Sequence, residues 1–266
     1  MPDASPGSLD IVAVPAFQDN YLWLLVRDGQ AVVVDPGDAV PVEAALRSCG
    51  AHLRAIVLTH HHADHTGGVA ALTKDRPGLP VYGPAREQIK GVTSALVAGD
   101  RIDLEAIGMS FEVMDVGGHT RGHIAYFGEA SGVRRVFCGD TLFGCGCGRL
   151  FEGSPEQMQA SLARLAALPP DTLAYCAHEY TLSNIRFALA VEPDNSALEE
   201  RARDARAQRE RGLPTVPFTV QLERDTNPFL RWDSPAVRRA ADARVPGASA
   251  SPVATFAAIR AWKDRF

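Results

Sequence analysis

The chain has 266 residues, 46% of them hydrophobic and 22% charged, a balance that suits a globular protein with a sizeable core and excludes compositional disorder. Its net charge of −5 argues against a general nucleic-acid binder, which would carry a basic footprint. Five cysteines, odd in number and sparse, fit a reduced compartment better than a disulfide framework. Met1–Leu9 lacks the basic start, apolar run and small-residue site of a secretory leader. No stretch approaches the roughly 18 apolar residues of a membrane span. A soluble, cytoplasmic protein is the expectation.

In chain order, Tyr21–Val26 and Ala31–Val34 read as strands around Arg27-Asp28-Gly29-Gln30, whose Asp-Gly signals a hairpin. Asp35-Pro36-Gly37-Asp38 stops the second strand. Pro41–Cys49 has helical spacing at Val42, Ala45, Leu46 and Cys49, with Gly50 as its stop. Ala55–Leu58 is a buried strand that delivers Thr59 and His60 from its carboxyl end, and a helix is expected to begin near Thr66. Ser110–Val116, Val133–Cys138 and Thr172–Cys176 are three further strands, leading into His119, Asp140 and His178. Four strand ends thus each present a potential metal ligand on a rigid support. Beyond about residue 178 the character changes to helices, Ser196–Arg211 and Val253–Lys263, punctuated by prolines. Cys145-Gly146-Cys147 reads as small residues in a tight loop.

The run Thr59-His60-His61-His62-Ala63-Asp64-His65 carries the chemistry. Four ligand-type side chains within six residues are hard to place in a packed core, and neutral imidazole with carboxylate suits zinc, iron or manganese. Alternation points His60 and His62 the same way, and Asp64 and His65 turn towards a second position. His119, Asp140 and His178 are the distal partners that complete two sites. A water between two divalent cations loses a proton near neutral pH, and the hydroxide attacks a carbonyl whose oxyanion a metal stabilises. No Gly-x-Ser-x-Gly elbow offers a serine alternative. His52 reads as a surface residue.

These motifs resemble the metallo-β-lactamase superfamily. The resemblance implies that His60, His62 and His119 hold one metal, that Asp64, His65 and His178 hold a second, and that Asp140 bridges. His61 would point away, and His123 would stand outside the ligand set. Further stretches are similar to glyoxalase II, the hydroxyacylglutathione hydrolases, over essentially the whole chain. They are Phe17–Trp23, Gly139–Phe143, Gly146–Gly153, His178–Thr181, Asn227–Arg231 and Arg260–Asp264. This implies a four-layered αββα sandwich over residues 1–178 and a small helical substrate-binding domain over 179–266. It implies two divalent ions, zinc first and iron or manganese as alternatives, with Asp64 and Asp140 as the catalytic carboxylates beside a bridging hydroxide. The implied substrate is S-D-lactoylglutathione, released as D-lactate and glutathione, by a monomer with no membrane or nucleic-acid partner. Arg149, Phe151, Tyr180, Arg260 and Lys263 align with glutathione-contacting positions. Phe151 stands where some members have tyrosine, Arg149 where they have lysine, and Ala177 where a glycine is common. Two other activities compete: a different thioester or lactone hydrolase on the same scaffold, and an iron-dependent persulfide dioxygenase. A non-catalytic metal-binding protein would be marked by missing ligands, and none is missing.

Overall fold

The computed structural model describes residues 7–266; the part of Met1–Leu9 that precedes Gly7, and its leaderless reading, lie outside the described residues. The chain forms two compact units, one running to Asp115 and joined by Gly122–Gly139, the other made of Val116–Arg121 and Asp140–Phe266.

In the first unit one sheet runs in the order Asp10–Ala16, Asn20–Arg27, Gln30–Val34, His52–Val57, Val81–Pro84, Ser94–Leu96. Its first two pairings are antiparallel and the rest parallel. The expected hairpin is present: Arg27 pairs with Gln30, and Asp28 and Gly29 have φ of 49° and 71°, the two positive values that a tight two-residue turn needs. The helix spans Ala39–Cys49, two residues longer at its start than the apolar spacing indicates, because Asp38 caps it by accepting from the Val40 N–H. Gly50 ends it at φ 60°, in the left-handed region. Val42 and Leu46 bury that helix in a cluster with Leu22, Leu24, Val33, Ile56 and Leu58. Four strands, Arg101–Leu104, Met109–Asp115, Ile124–Ala130 and Val133–Gly139, form an antiparallel meander.

One expectation shifts in register. The helix after the histidine run begins at Ala63 rather than near Thr66, ends at Thr66, and resumes as Val69–Lys74. Asp64 and His65 therefore lie inside the first helical turn. Gly67 and Gly68 separate the two pieces because the chain at 36–39 crosses there. A Cβ on Gly67 would stand 2.6 Å from the Gly37 carbonyl oxygen, and one on Gly68 2.5 Å from that of Pro36.

The second unit is largely helical: Pro155–Ala166, Thr181–Val191, Ser196–Glu210, Val220–Thr226, Pro235–Arg244 and Pro252–Lys263. Ile185, Ala188, Leu198, Ala202 and Ala205 pack with Cys145 in its core. Leu173–Cys176 pairs antiparallel with Phe218–Thr219, and Leu142–Phe143 with Gly146–Cys147 in a tight hairpin. Cys145 and Cys147 lie in that hairpin as buried free thiols, and burial pushes Cys145 up to about 12, which keeps it protonated. Among the described residues no helix is long and apolar enough to cross a membrane.

Candidate metal centre

The histidine run follows the strand His52–Val57, whose carboxyl end is buried, and Asp35 anchors it. Asp35 is itself buried and takes a left-handed φ of 51° at the end of Gln30–Val34. Its carboxylate accepts from the Thr59 N–H at 2.8 Å and the Thr59 hydroxyl at 2.7 Å. Its Oδ2 also lies 3.1 Å from His65 Nδ1. On the other side of the ring, His65 Nε2 faces Asp64 Oδ2 at 3.6 Å, so the imidazole lies between two carboxylates. His60 is oriented by the same route, with Nδ1 3.1 Å from Thr59 Oγ1 and Nε2 3.0 Å from His62 Nδ1. Two ring nitrogens thus converge as two ligands of one cation do.

Asn20 fixes the remaining carboxylate of the run, donating from Nδ2 to Asp64 Oδ2 at 3.0 Å. Asp64 is also seated by close packing, since a Cβ on Gly37 would fall 1.8 Å from its carbonyl oxygen. His61 stands apart from this convergence, its Nδ1 2.9 Å from Glu87 Oε2. His123 is fully buried and stacks on His60, ring centroids 4.5 Å apart and planes 18° apart. His52 is exposed.

In the second unit His119, Asp140 and His178 meet. Asp140 Oδ2 lies 3.4 Å from His119 Nε2 and 3.4 Å from His178 Nε2. That spacing is long for a hydrogen bond. It matches the edge of a tetrahedron whose ligands stand about 2.0–2.1 Å from a central ion, roughly 3.3–3.4 Å. The His119 tautomer is set by its other nitrogen: Nδ1–H donates to the Arg149 carbonyl at 2.9 Å, so Nε2 is the lone pair. His178 stacks on Tyr180, centroids 4.8 Å and planes 3° apart, and Phe151 meets His119 edge-on at 5.2 Å. The donor set in each unit, neutral imidazole nitrogen with carboxylate oxygen, fits a divalent cation.

Lys263 is half-buried at the end of the last helix, with Nζ 5.2 Å from the Phe187 ring and donating to the Ser183 carbonyl at 3.4 Å. Burial, reinforced by the positive charges of Arg260, Arg186 and Arg149, lowers it to about 8. Arg260, one turn earlier, is buried at 4% exposure and donates to the Cys147 carbonyl and to Asp264, both at 3.0 Å. Arg149, Phe151 and Tyr180 are exposed. Sequence reasoning passed over Asp35, Asn20, Glu87 and Arg186. Asp35 could have been found as an acidic residue at a strand end beside the one that leads into the histidine run, and Asn20 lies within the stretch Phe17–Trp23 already singled out, whereas Glu87 and Arg186 carry no local signal.

Residues 17–178 match the metallo-β-lactamase superfamily, and residues 179–266 match the carboxyl-terminal region of hydroxyacylglutathione hydrolase. A hydroxyacylglutathione hydrolase of Alkalilimnicola ehrlichii is 55% identical, over 96% of this chain and 99% of that one. The chain belongs to the hydroxyacylglutathione hydrolase family. It is a metal-dependent hydrolase with the α/β sandwich of the superfamily and the helical carboxyl-terminal part of this family. Among solved structures, ETHE1 from Myxococcus xanthus shares the fold at a TM-score of 0.64 and 22% identity, covering 96% of this chain and 90% of that one. TTHA1623, crystallised in a di-iron-bound form, aligns at 0.57 and 29% identity over 83% of this chain and all of that one, 100%.

Proposed function

We propose that this chain hydrolyses S-(2-hydroxyacyl)glutathione thioesters, chiefly S-D-lactoylglutathione, to glutathione and D-lactate. The observation that carries the substrate is the match of residues 179–266 to the carboxyl-terminal region of hydroxyacylglutathione hydrolase. A histidine run of this type serves many chemistries on one scaffold, so the metals alone name no substrate. The reading divides the ligands as His60, His62 and His119 for one ion and Asp64, His65 and His178 for a second, with Asp140 shared. Zinc is the inferred ion; iron or manganese would satisfy the same donors, and TTHA1623 was solved with iron.

Divalent ions, when bound, supply a Lewis acid for the thioester carbonyl and make a water acidic enough to lose its proton near neutral pH. The chain's own residues do the rest. Asp64, which accepts from Asn20, is the group that would accept a hydrogen bond from the attacking water and aim it. The fixed tautomer of His119 keeps its Nε2 available as a donor atom. Glutathione carries two carboxylates, and Lys263 and Arg149 are the cations that meet them, with Tyr180 as a hydroxyl partner and Phe151 as an apolar wall. The water adds its oxygen to the acyl carbon, the C–S bond breaks, and the sulfur leaves as the glutathione thiol. The reading includes a cytoplasmic monomer, and the five free thiols accord with a reducing compartment.

The test follows S-D-lactoylglutathione by its thioester absorbance, with and without chelator, beside the same acyl group on a thiol without glutathione's carboxylates. Fast, chelator-sensitive loss of the glutathione thioester alone is expected. A fully metallated protein that leaves it intact would sink the reading.

A further inference from the structure

His178 and Tyr180 stand two positions apart with their rings stacked, which places both side chains on one face of the chain. Glu179, between them, is sent to the other face. There its side chain is only 9% exposed and accepts twice from a single residue: the Thr215 N–H reaches Oε2 at 2.8 Å, and the Thr215 hydroxyl reaches Oε1 at 2.6 Å. A carboxylate only accepts, so the Thr215 hydroxyl proton goes to Glu179, and the Thr181 hydroxyl, 2.7 Å away, donates to Thr215 Oγ1 in turn. Arg209 Nη1 lies 3.7 Å from Oε2 and donates to the Leu213 carbonyl at 2.8 Å. Thr181 itself has no room to shift, since a Cβ on Gly144 would fall 2.4 Å from its Oγ1.

The clamp joins two segments 36 positions apart: the one that leads the strand Leu173–Cys176 into the helix Thr181–Val191, and the one that follows the helix Ser196–Glu210. Burying a carboxylate is a costly way to join two loops, because an apolar side chain would hold them without desolvating a charge. What the carboxylate adds is direction. Two oxygens on two donors of one residue fix the rotation of the chain at 179, and with it the directions in which the neighbouring side chains leave the backbone.

We infer that Glu179 is a positioning residue: clamped on Thr215, it sets the rotation of the segment 178–180 and so aims His178 at the cation it would hold and the Tyr180 hydroxyl at glutathione. Both roles rest on the proposed reading of His178 as a metal ligand and Tyr180 as a substrate partner. Residues that orient a ligand without touching the ion change metal affinity by about 10–100-fold when removed.

The experiment compares wild type with Glu179→Ala, Glu179→Gln, Thr215→Val, Tyr180→Phe and the double variant E179A/Y180F. Zinc affinity is measured by competition with a chromophoric chelator, and KM on the glutathione thioester. E179A is expected to hold zinc at least about tenfold more weakly and to raise KM at least about threefold. T215V, which deletes one of the two donors, should move both quantities the same way by a smaller factor. E179Q keeps an acceptor for the Thr215 N–H and an amide that can donate to the Thr215 hydroxyl oxygen, so it should recover most of both. If Glu179 acts through Tyr180, E179A raises KM far less when added to Y180F than when added to wild type. A tie that merely stabilised the fold would lower the unfolding midpoint and leave zinc affinity and this coupling unmoved. Wild-type zinc affinity in E179A overturns the His178 half, and KM effects that simply multiply in the double variant overturn the Tyr180 half. If E179A does not fold, T215V decides: zinc affinity and KM equal to wild type overturn the inference. A wild type inert towards the glutathione thioester would defeat the proposed substrate and the Tyr180 half with it, while the zinc arm would still decide the His178 half.

Discussion

At the scale of single residues, orientation matters as much as donor type. Asp35 is no ligand, yet its two oxygens serve Thr59 and lie beside His65, so one carboxylate sets the geometry of two histidines. Asp35→Asn puts an amide donor where an acceptor is required. It is expected to weaken zinc binding by about 10–100-fold, measured by chelator competition, with little change in circular dichroism. Lys263 gives a pH test. Its folded-state value is lowered to about 8, so the cation prevails below that pH and is lost above it. KM for the glutathione thioester should therefore be flat below about pH 8 and rise above it, and Lys263→Arg, charged throughout, should abolish the rise. A wild-type KM that stays level well above that pH would remove Lys263 from the binding site. Asp140→Ala deletes the carboxylate that lies 3.4 Å from both His119 and His178, and on the proposed mechanism it should lower kcat by more than about a hundredfold.

At the scale of elements, the ligands are positioned by close backbone approach. The helix Ala63–Thr66 is short because Gly67 and Gly68 let the chain at 36–39 pass against it, and Gly37 lets Asp64 sit where it does. Gly37→Ala would drive a methyl into the Asp64 carbonyl and is expected to cost about 3 kcal/mol or more in denaturant unfolding, with loss of metal. Gly50→Ala is the contrast: its Cβ would meet nothing within 4 Å, so only the left-handed φ of 60° opposes it. About 1 kcal/mol is expected, with full activity. The histidine run itself was legible from spacing alone. The helix register was not, because the glycines that set it answer to a crossing segment some thirty residues earlier.

At the scale of the molecule, each unit has its own apolar core, and neither core is built from metal ligands. Stripping the metal should abolish activity and leave far-ultraviolet circular dichroism nearly unchanged, with activity restored by zinc, iron or manganese. Loss of secondary structure with the metal would contradict this. Buried charge is the more costly matter. Glu223→Ala would strand Arg201, whose side chain is only 5% exposed, and should cost about 3–5 kcal/mol.

The sequence by itself determined the strands that lead into the histidine run, His119, Asp140 and His178, and the chemistry that imidazole with carboxylate supports. These rest on local properties: side-chain periodicity, turn residues and donor chemistry. Family resemblance added the substrate class. Only the tertiary structure decided which distant side chains meet these residues. Asp35 meets His65, Asn20 meets Asp64, and Glu223 meets Cys145, across separations of 30, 44 and 78 positions. Pairings that distant leave no period in the chain. The same holds for Arg260: the sequence shows a cation one turn from Lys263, and only packing shows that its guanidinium is turned inward onto the Cys147 carbonyl.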